Sequence, residues 1–170
     1  MTAITGINFT TQEASKLKNY GKGLITNFKL ATPVLSEYAT GDYFSKLNET
    51  TENLSDTQDG KEDGVFKKTL KGAWKQFVLS LPIIGTYQLG KTKEHHDNAK
   101  GRIDSIKNGT EFHTQHSGVF KTYIKGLGEK IKHSIPFYGT YYRGKIANEV
   151  NNMYQDSKVI NDAGAWATEA

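Results

Sequence analysis

Residues 64–91, GVFKKTLKGAWKQFVLSLPIIGTYQLGK, return at 118–145 as GVFKTYIKGLGEKIKHSIPFYGTYYRGK, with 13 identities in 28 positions at an offset of 54. A more divergent copy lies upstream at an offset of 49, where Lys22-Gly23, Phe28, Pro33, Tyr38 and Gly41 match Lys71-Gly72, Phe77, Pro82, Tyr87 and Gly90. A fixed period of this size marks one supersecondary unit that buries its apolar face against its neighbours. Repeats build surfaces, whereas catalysis usually needs a constellation that occurs once.

The first half of each copy has helical periodicity. Phe66, Leu70, Trp74, Phe77 and Leu81 recur every three or four residues, and Phe120, Ile124, Leu127, Ile131 and Ile135 repeat the pattern, as do Leu17, Tyr20, Leu24 and Phe28. Lysines hold the opposite side, among them Lys67, Lys71, Lys75, Lys121 and Lys125. The usual arrangement of such a helix packs the apolar stripe into a core under a lysine-coated exterior, and that is the expectation here.

Pro33, Pro82 and Pro136 then end each helix, because proline removes a backbone donor and clashes with the preceding turn. A second helical pattern follows, clearest at Ile146, Val150 and Met153. The expected fold is all-α: three tandem helix–Pro–helix hairpins, about six helices, forming a bundle or a short solenoid. The boundaries read as 1–63 with an acidic linker at 48–63, 64–117 with a second linker at 107–118, and 118–170 with a C-terminal tail. All three are expected to fold as one cooperative domain. Gly23, Gly72 and Gly126 recur inside the first helices, each at a cost of about 1 kcal/mol relative to alanine. Their recurrence predicts a neighbouring helix passing close by. Pro33, Pro82 and Pro136, with Tyr38, Tyr87 and Tyr141, complete the structural repeat positions. Thr10 and Glu13 have capping-box spacing for the first helix.

Composition sets the outer limits. The 170 residues have a mean hydropathy of −0.61 and 24% charged residues, an ordinary globular balance. There is no cysteine, so neither disulfides nor thiolate metal sites contribute. The first residues show no basic segment followed by an apolar one, so the expected location is cytoplasmic or within an assembled particle. The net charge of +4 is uneven: 1–63 carries six lysines against nine carboxylates, and 64–117 nine basic residues against four.

Three motifs carry possible chemistry. Gly85 to Thr92, GTYQLGKT, matches the phosphate-loop pattern GxxxxGK[ST]. The sibling copies show its spacing at Gly139…Gly144-Lys145 and Ser36…Gly41-Asp42, so the match reads as a by-product of the repeat, and nucleotide binding at 85–92 stands as the third and weakest reading of function. His95, His96, His113 and His116 are weak metal candidates; no metal and no cofactor is expected. Lysines interleaved with aromatics suit an interaction surface. Its candidates are Lys67, Lys71, Trp74, Lys75, Lys121, Lys125, Phe137, Tyr138, Tyr141, Tyr142 and Trp166. The reading is a non-enzymatic structural or interaction protein, a component or adaptor of a larger assembly, viral particles among them. Protein partners or self-assembly come first. An anionic membrane surface approached by basic amphipathic helices is the alternative. Nucleic acid ranks lower, since arginine occurs only at Arg102 and Arg143.

Overall fold

The computed structural model describes residues 14–55 and 63–164. These form six helices: α1 Lys16–Ala31, α2 Leu35–Asn53, α3 Val65–Ser80, α4 Pro82–Asn108, α5 Val119–Ser134 and α6 Tyr138–Asp162. The described residues are all-helical outside their turns and loops, as the periodicity requires.

The helices pair differently from the expected hairpins. Within a sequence copy, the two helices meet at a proline corner and touch only modestly. Extensive packing joins the second helix of one copy to the first helix of the next: α2 with α3, α4 with α5, and α6 back to α1. The array therefore closes on itself as a bundle instead of running on as a solenoid. Each of these pairs is antiparallel. Ser45–Asp63 and Lys68–Asp42 hydrogen bonds run in opposite senses along α2 and α3, as do Asn148–Asn19 and Asn27–Thr140 along α6 and α1.

Glycine pins each crossing. Gly72 faces Gly41, Gly126 faces Gly90, and Gly23 faces Gly144. A Cβ on Gly72, Gly126 or Gly23 would stand 1.7, 1.9 or 1.8 Å from the backbone oxygen of Glu37, Thr86 or Thr140. Backbones at that separation leave no room for a side chain on either helix. The cost of glycine inside a helix is offset by this close approach.

The longer helices α2, α4 and α6 run parallel and make the core. Lys46–Asn151 and Asn53–Ser157 hydrogen bonds advance together along α2 and α6, and His96–Glu149 and Lys107–Asp156 do so along α4 and α6. The apolar cluster Leu47, Leu54, Ala99, Ile103, Ile106, Val150, Met153 and Ile160 comes from these three helices and, at Leu54, the residue that caps α2. Equivalent positions of the three sequence copies are buried alike: Leu47, His96 and Val150, and likewise Thr50, Ala99 and Met153. The expected linker at 48–63 is in part helix, because α2 continues through Asn53 to the buried Leu54. Thr10 and Glu13 lie outside the described residues; Ser15 is the cap, its hydroxyl accepting from the Lys18 amide at 3.3 Å. At the other end of α4, Gly109 adopts φ 63° and Thr110 N–H donates to the Ser105 carbonyl at 3.0 Å, closing the helix.

Two of the three corners are strained. Val34 has φ 65° and Phe137 φ 59°, with Leu35 N–H donating to Pro33 O at 2.7 Å and Tyr138 N–H to Pro136 O at 2.6 Å. These are γ-turns of the rare positive-φ form. In the middle copy Pro82 is the first residue of α4, and the corner is the single residue Leu81.

Candidate interaction surface

The outer helices α1, α3 and α5 are inverted relative to expectation. Their polar sides face the central helices and their apolar stripes face out. Asn19 is buried, its Oδ1 accepting from Asn148 Nδ2 at 2.7 Å. Lys68 reaches Asp42 at 3.0 Å, and Gln76 donates to Thr40 at 3.0 Å. On α5, Thr122 and Glu129 are buried. Small residues and hydrogen bonds therefore fill the seam between the layers, which leaves the large apolar side chains no interior to enter.

Among the described residues, all 22 exposed large apolar side chains lie on α1, α3, α5 or the corners, within 17–35, 65–84 and 119–138. Equivalent positions of the three copies share the pattern. Leu17, Phe66 and Phe120 are 83%, 83% and 78% exposed, and Phe28, Phe77 and Ile131 are 69%, 58% and 62% exposed. At the corners Val34, Ile83 and Phe137 stand outward in the same way. The corners occupy one end of the three parallel helices, opposite the core. Isolated exposed apolar residues are ordinary, but a stripe of them on each of three outer helices, continued at the corners, marks an interaction site. The expectation of a core-facing stripe is thus overturned.

The candidate residues separate accordingly. Trp74 is exposed and tilted against Phe77, ring centroids 5.8 Å apart. Phe137 and Tyr138 are exposed at the third corner, whereas Lys67, paired with Asp63, and Lys121 are exposed at the opposite ends of α3 and α5. Lys71, Lys75 and Lys125 turn inward, to Asp63 at 3.3 Å, over the Phe44 ring at 4.8 Å, and to Glu94 at 3.6 Å. Tyr141 is half-buried and Trp166 lies outside the described residues. Tyr142 belongs to the interior, not the surface: its hydroxyl donates to Glu129 Oε2 at 2.6 Å. The recurring Tyr38 and Tyr87 are also half-buried, within the first two turns of α2 and α4.

Gly85–Thr92 lies wholly within α4. Its backbone amides are committed to the helix, Thr92 Oγ1 donates to Gln88 O at 2.9 Å, and Lys91 sits over the Tyr87 ring. Gly90 serves the α4–α5 crossing. No loop is formed there to surround a phosphate. The four histidines do not converge. His96 is in the core, His95 bonds Thr51 Oγ1 at 2.6 Å, and His113 and His116 lie exposed on the loop after α4. Among the described residues no cluster of three or more metal-ligating side chains occurs.

Two buried polar clusters escaped the sequence reading. For Glu149, burial alone would raise the carboxyl pKa, but the His96 hydrogen bond at 3.3 Å and the Lys100 charge at 3.2 Å hold it down to about 2. For Glu129, burial again opposes ionisation, and bonds from Lys132 at 2.8 Å and Tyr142 keep its pKa below the usual carboxylate value. The same burial, with Glu129 adjacent, pushes the Tyr142 phenol well up. The only available signal was departure from the repeat: Glu129 replaces Lys75 and Tyr142 replaces Gln88.

An open cavity of about 360 Å³ lies between α1, α2 and α6, bounded by Lys22, Tyr38, Tyr43 and Arg143 and reached by Leu30, Leu79 and His133 from the ends of the three outer helices. No helix among the described residues is long and apolar enough to cross a membrane. No protein-family model matches the chain, and comparison with curated proteins and with solved structures finds none that is similar.

Proposed function

We propose that this protein is a non-enzymatic structural or interaction protein that works through the apolar belt of α1, α3 and α5, as a component or adaptor of a larger assembly. The observation that carries the reading is the segregation of exposed apolar residues onto the outer helices and corners, with a separate core in α2, α4 and α6. Each large apolar side chain left in water forgoes roughly 1.5–3 kcal/mol of burial. A belt repeated in three copies forgoes more than a typical domain's net stability, so a partner surface is part of its working state.

The test compares the native chain with a Phe66→Ser, Phe120→Ser double variant. Both sites are highly exposed, so circular dichroism and melting temperature should be unchanged. The native chain should bind an apolar dye and associate, with itself or with a presented surface, and the variant should do both far less. A native chain that stays monomeric, binds no dye and adheres to nothing would remove the basis for this function.

A further inference from the structure

We infer that the belt docks on an anionic lipid bilayer, its three corners and the adjoining ends of the outer helices entering one leaflet. This rests on the belt being the working surface; what it adds is the occupant, and charge selects it. Each outer helix carries four lysines against a single carboxylate, Glu129; several of them turn inward to acids of neighbouring elements, and at the corner end Lys29 is exposed and Lys130 and Lys132 are half-exposed. A second copy of the chain meeting at the corners would bring the same lysines face to face, and like charges oppose that contact. Anionic headgroups complement it. Lys29 is exposed in the last turn of α1, beside its corner, where its stem can follow the apolar surface while the ammonium group stays at the headgroups.

Shape agrees with charge. Each stripe is the convex side of a single helix, which a fluid leaflet accommodates without a matching groove. The corners stand at one end of three parallel helices, so one plane meets Val34, Ile83 and Phe137 together. The γ-turns hold Val34 and Phe137 outward against their backbone preference, and strain of that kind persists where the surroundings require it.

Co-flotation of the full chain with phosphatidylcholine vesicles, with and without phosphatidylglycerol, tests this. The protein should float with the anionic vesicles alone. Raising salt from 0.1 to 1 M, which shortens the screening length from about 10 to about 3 Å, should release it. Lys29→Gln should weaken partitioning roughly fivefold, and Ile83→Ser with Phe137→Ser should abolish flotation while the fold is retained. In a Trp166→Phe background, Trp74 emission should shift to the blue on binding. Failure of the folded chain to float with anionic vesicles overturns the inference, as does flotation indifferent to lipid charge and salt. Sedimentation velocity separates the two claims. Self-association that Phe66→Ser abolishes leaves the belt as the working surface with a second copy as occupant, whereas a non-floating monomer overturns both.

Discussion

Alanine substitution on α5 should have opposite signs two residues apart. At Gly126 the new Cβ would lie 1.9 Å from the Thr86 carbonyl oxygen, a backbone atom that no rotamer change can move. Reaching ordinary contact at 3.4 Å needs a retreat of roughly 1.5 Å between α4 and α5, enough to forfeit a large part of the dispersion attraction along the crossing. Overpacking of this kind costs about 1–3 kcal/mol, and the rigidity of both backbones places it at the upper end. Helix propensity returns about 1 kcal/mol, leaving a net loss of about 2 kcal/mol for Gly126→Ala. At Gly128 a Cβ would meet nothing within 4 Å, so the propensity term acts alone and Gly128→Ala should gain about 1 kcal/mol. For a chain of this size those values correspond to a melting temperature about 4–8 °C lower for the first and about 2–4 °C higher for the second. Urea titrations with matched m-values provide the check. Equal stability of the two variants, or a Gly126→Ala variant more stable than the native chain, would refute the glycine crossing.

Three further outcomes follow from the buried polar groups and the corners. Because the folded-state pKa of Glu149 lies near 2, below its ordinary value, the stabilisation is present above about pH 4.5 and is lost as pH falls toward 2. Allowing for its partial exposure, about 1–2 kcal/mol should disappear over that window, and Glu149→Gln should flatten the acid limb of stability against pH. Tyr142→Phe leaves the buried Glu129 without its phenol donor and should cost about 1–3 kcal/mol by denaturant titration; an unchanged midpoint would put Tyr142 back on the surface. Val34→Gly should stabilise by about 1 kcal/mol, since relief of a positive-φ β-branched residue exceeds the added chain entropy. A lower melting temperature would contradict the γ-turn.

Helix content, the proline corners and the close approach at Gly23, Gly72 and Gly126 were legible, because periodicity, a missing donor and a missing side chain are local signals. The side of α1, α3 and α5 that faces water was not. Periodicity shows that a helix has an apolar stripe but not what covers it, and only the burial of Asn19, Thr122 and Glu129 reverses the usual assignment. The pairing of α2 with α3 in place of α1 was hidden for a related reason: a glycine announces a close neighbour without naming it. The run through Asn48–Asn53 looked like a linker because its outward positions are polar, although Leu47, Thr50 and Leu54 continue the core face at helical spacing. Among the candidate contact residues, Trp74, Phe137 and Tyr138 are exposed, while Tyr142 was drawn inward by an acid that the sibling copies lack.

Return of α6 to α1 gives the architecture a counting property. An open array of such units can be lengthened or shortened at either end, and its outermost members need special caps. Here every first helix already has a second helix across a glycine crossing, so the array has no outermost member and no vacancy for a fourth. Loss of any one unit would strand two glycine faces at once, and an added unit would have to break a crossing to enter. The number three is thus held by geometry, and the connections after α2 and α4 become interchangeable places at which the same ring could be cut.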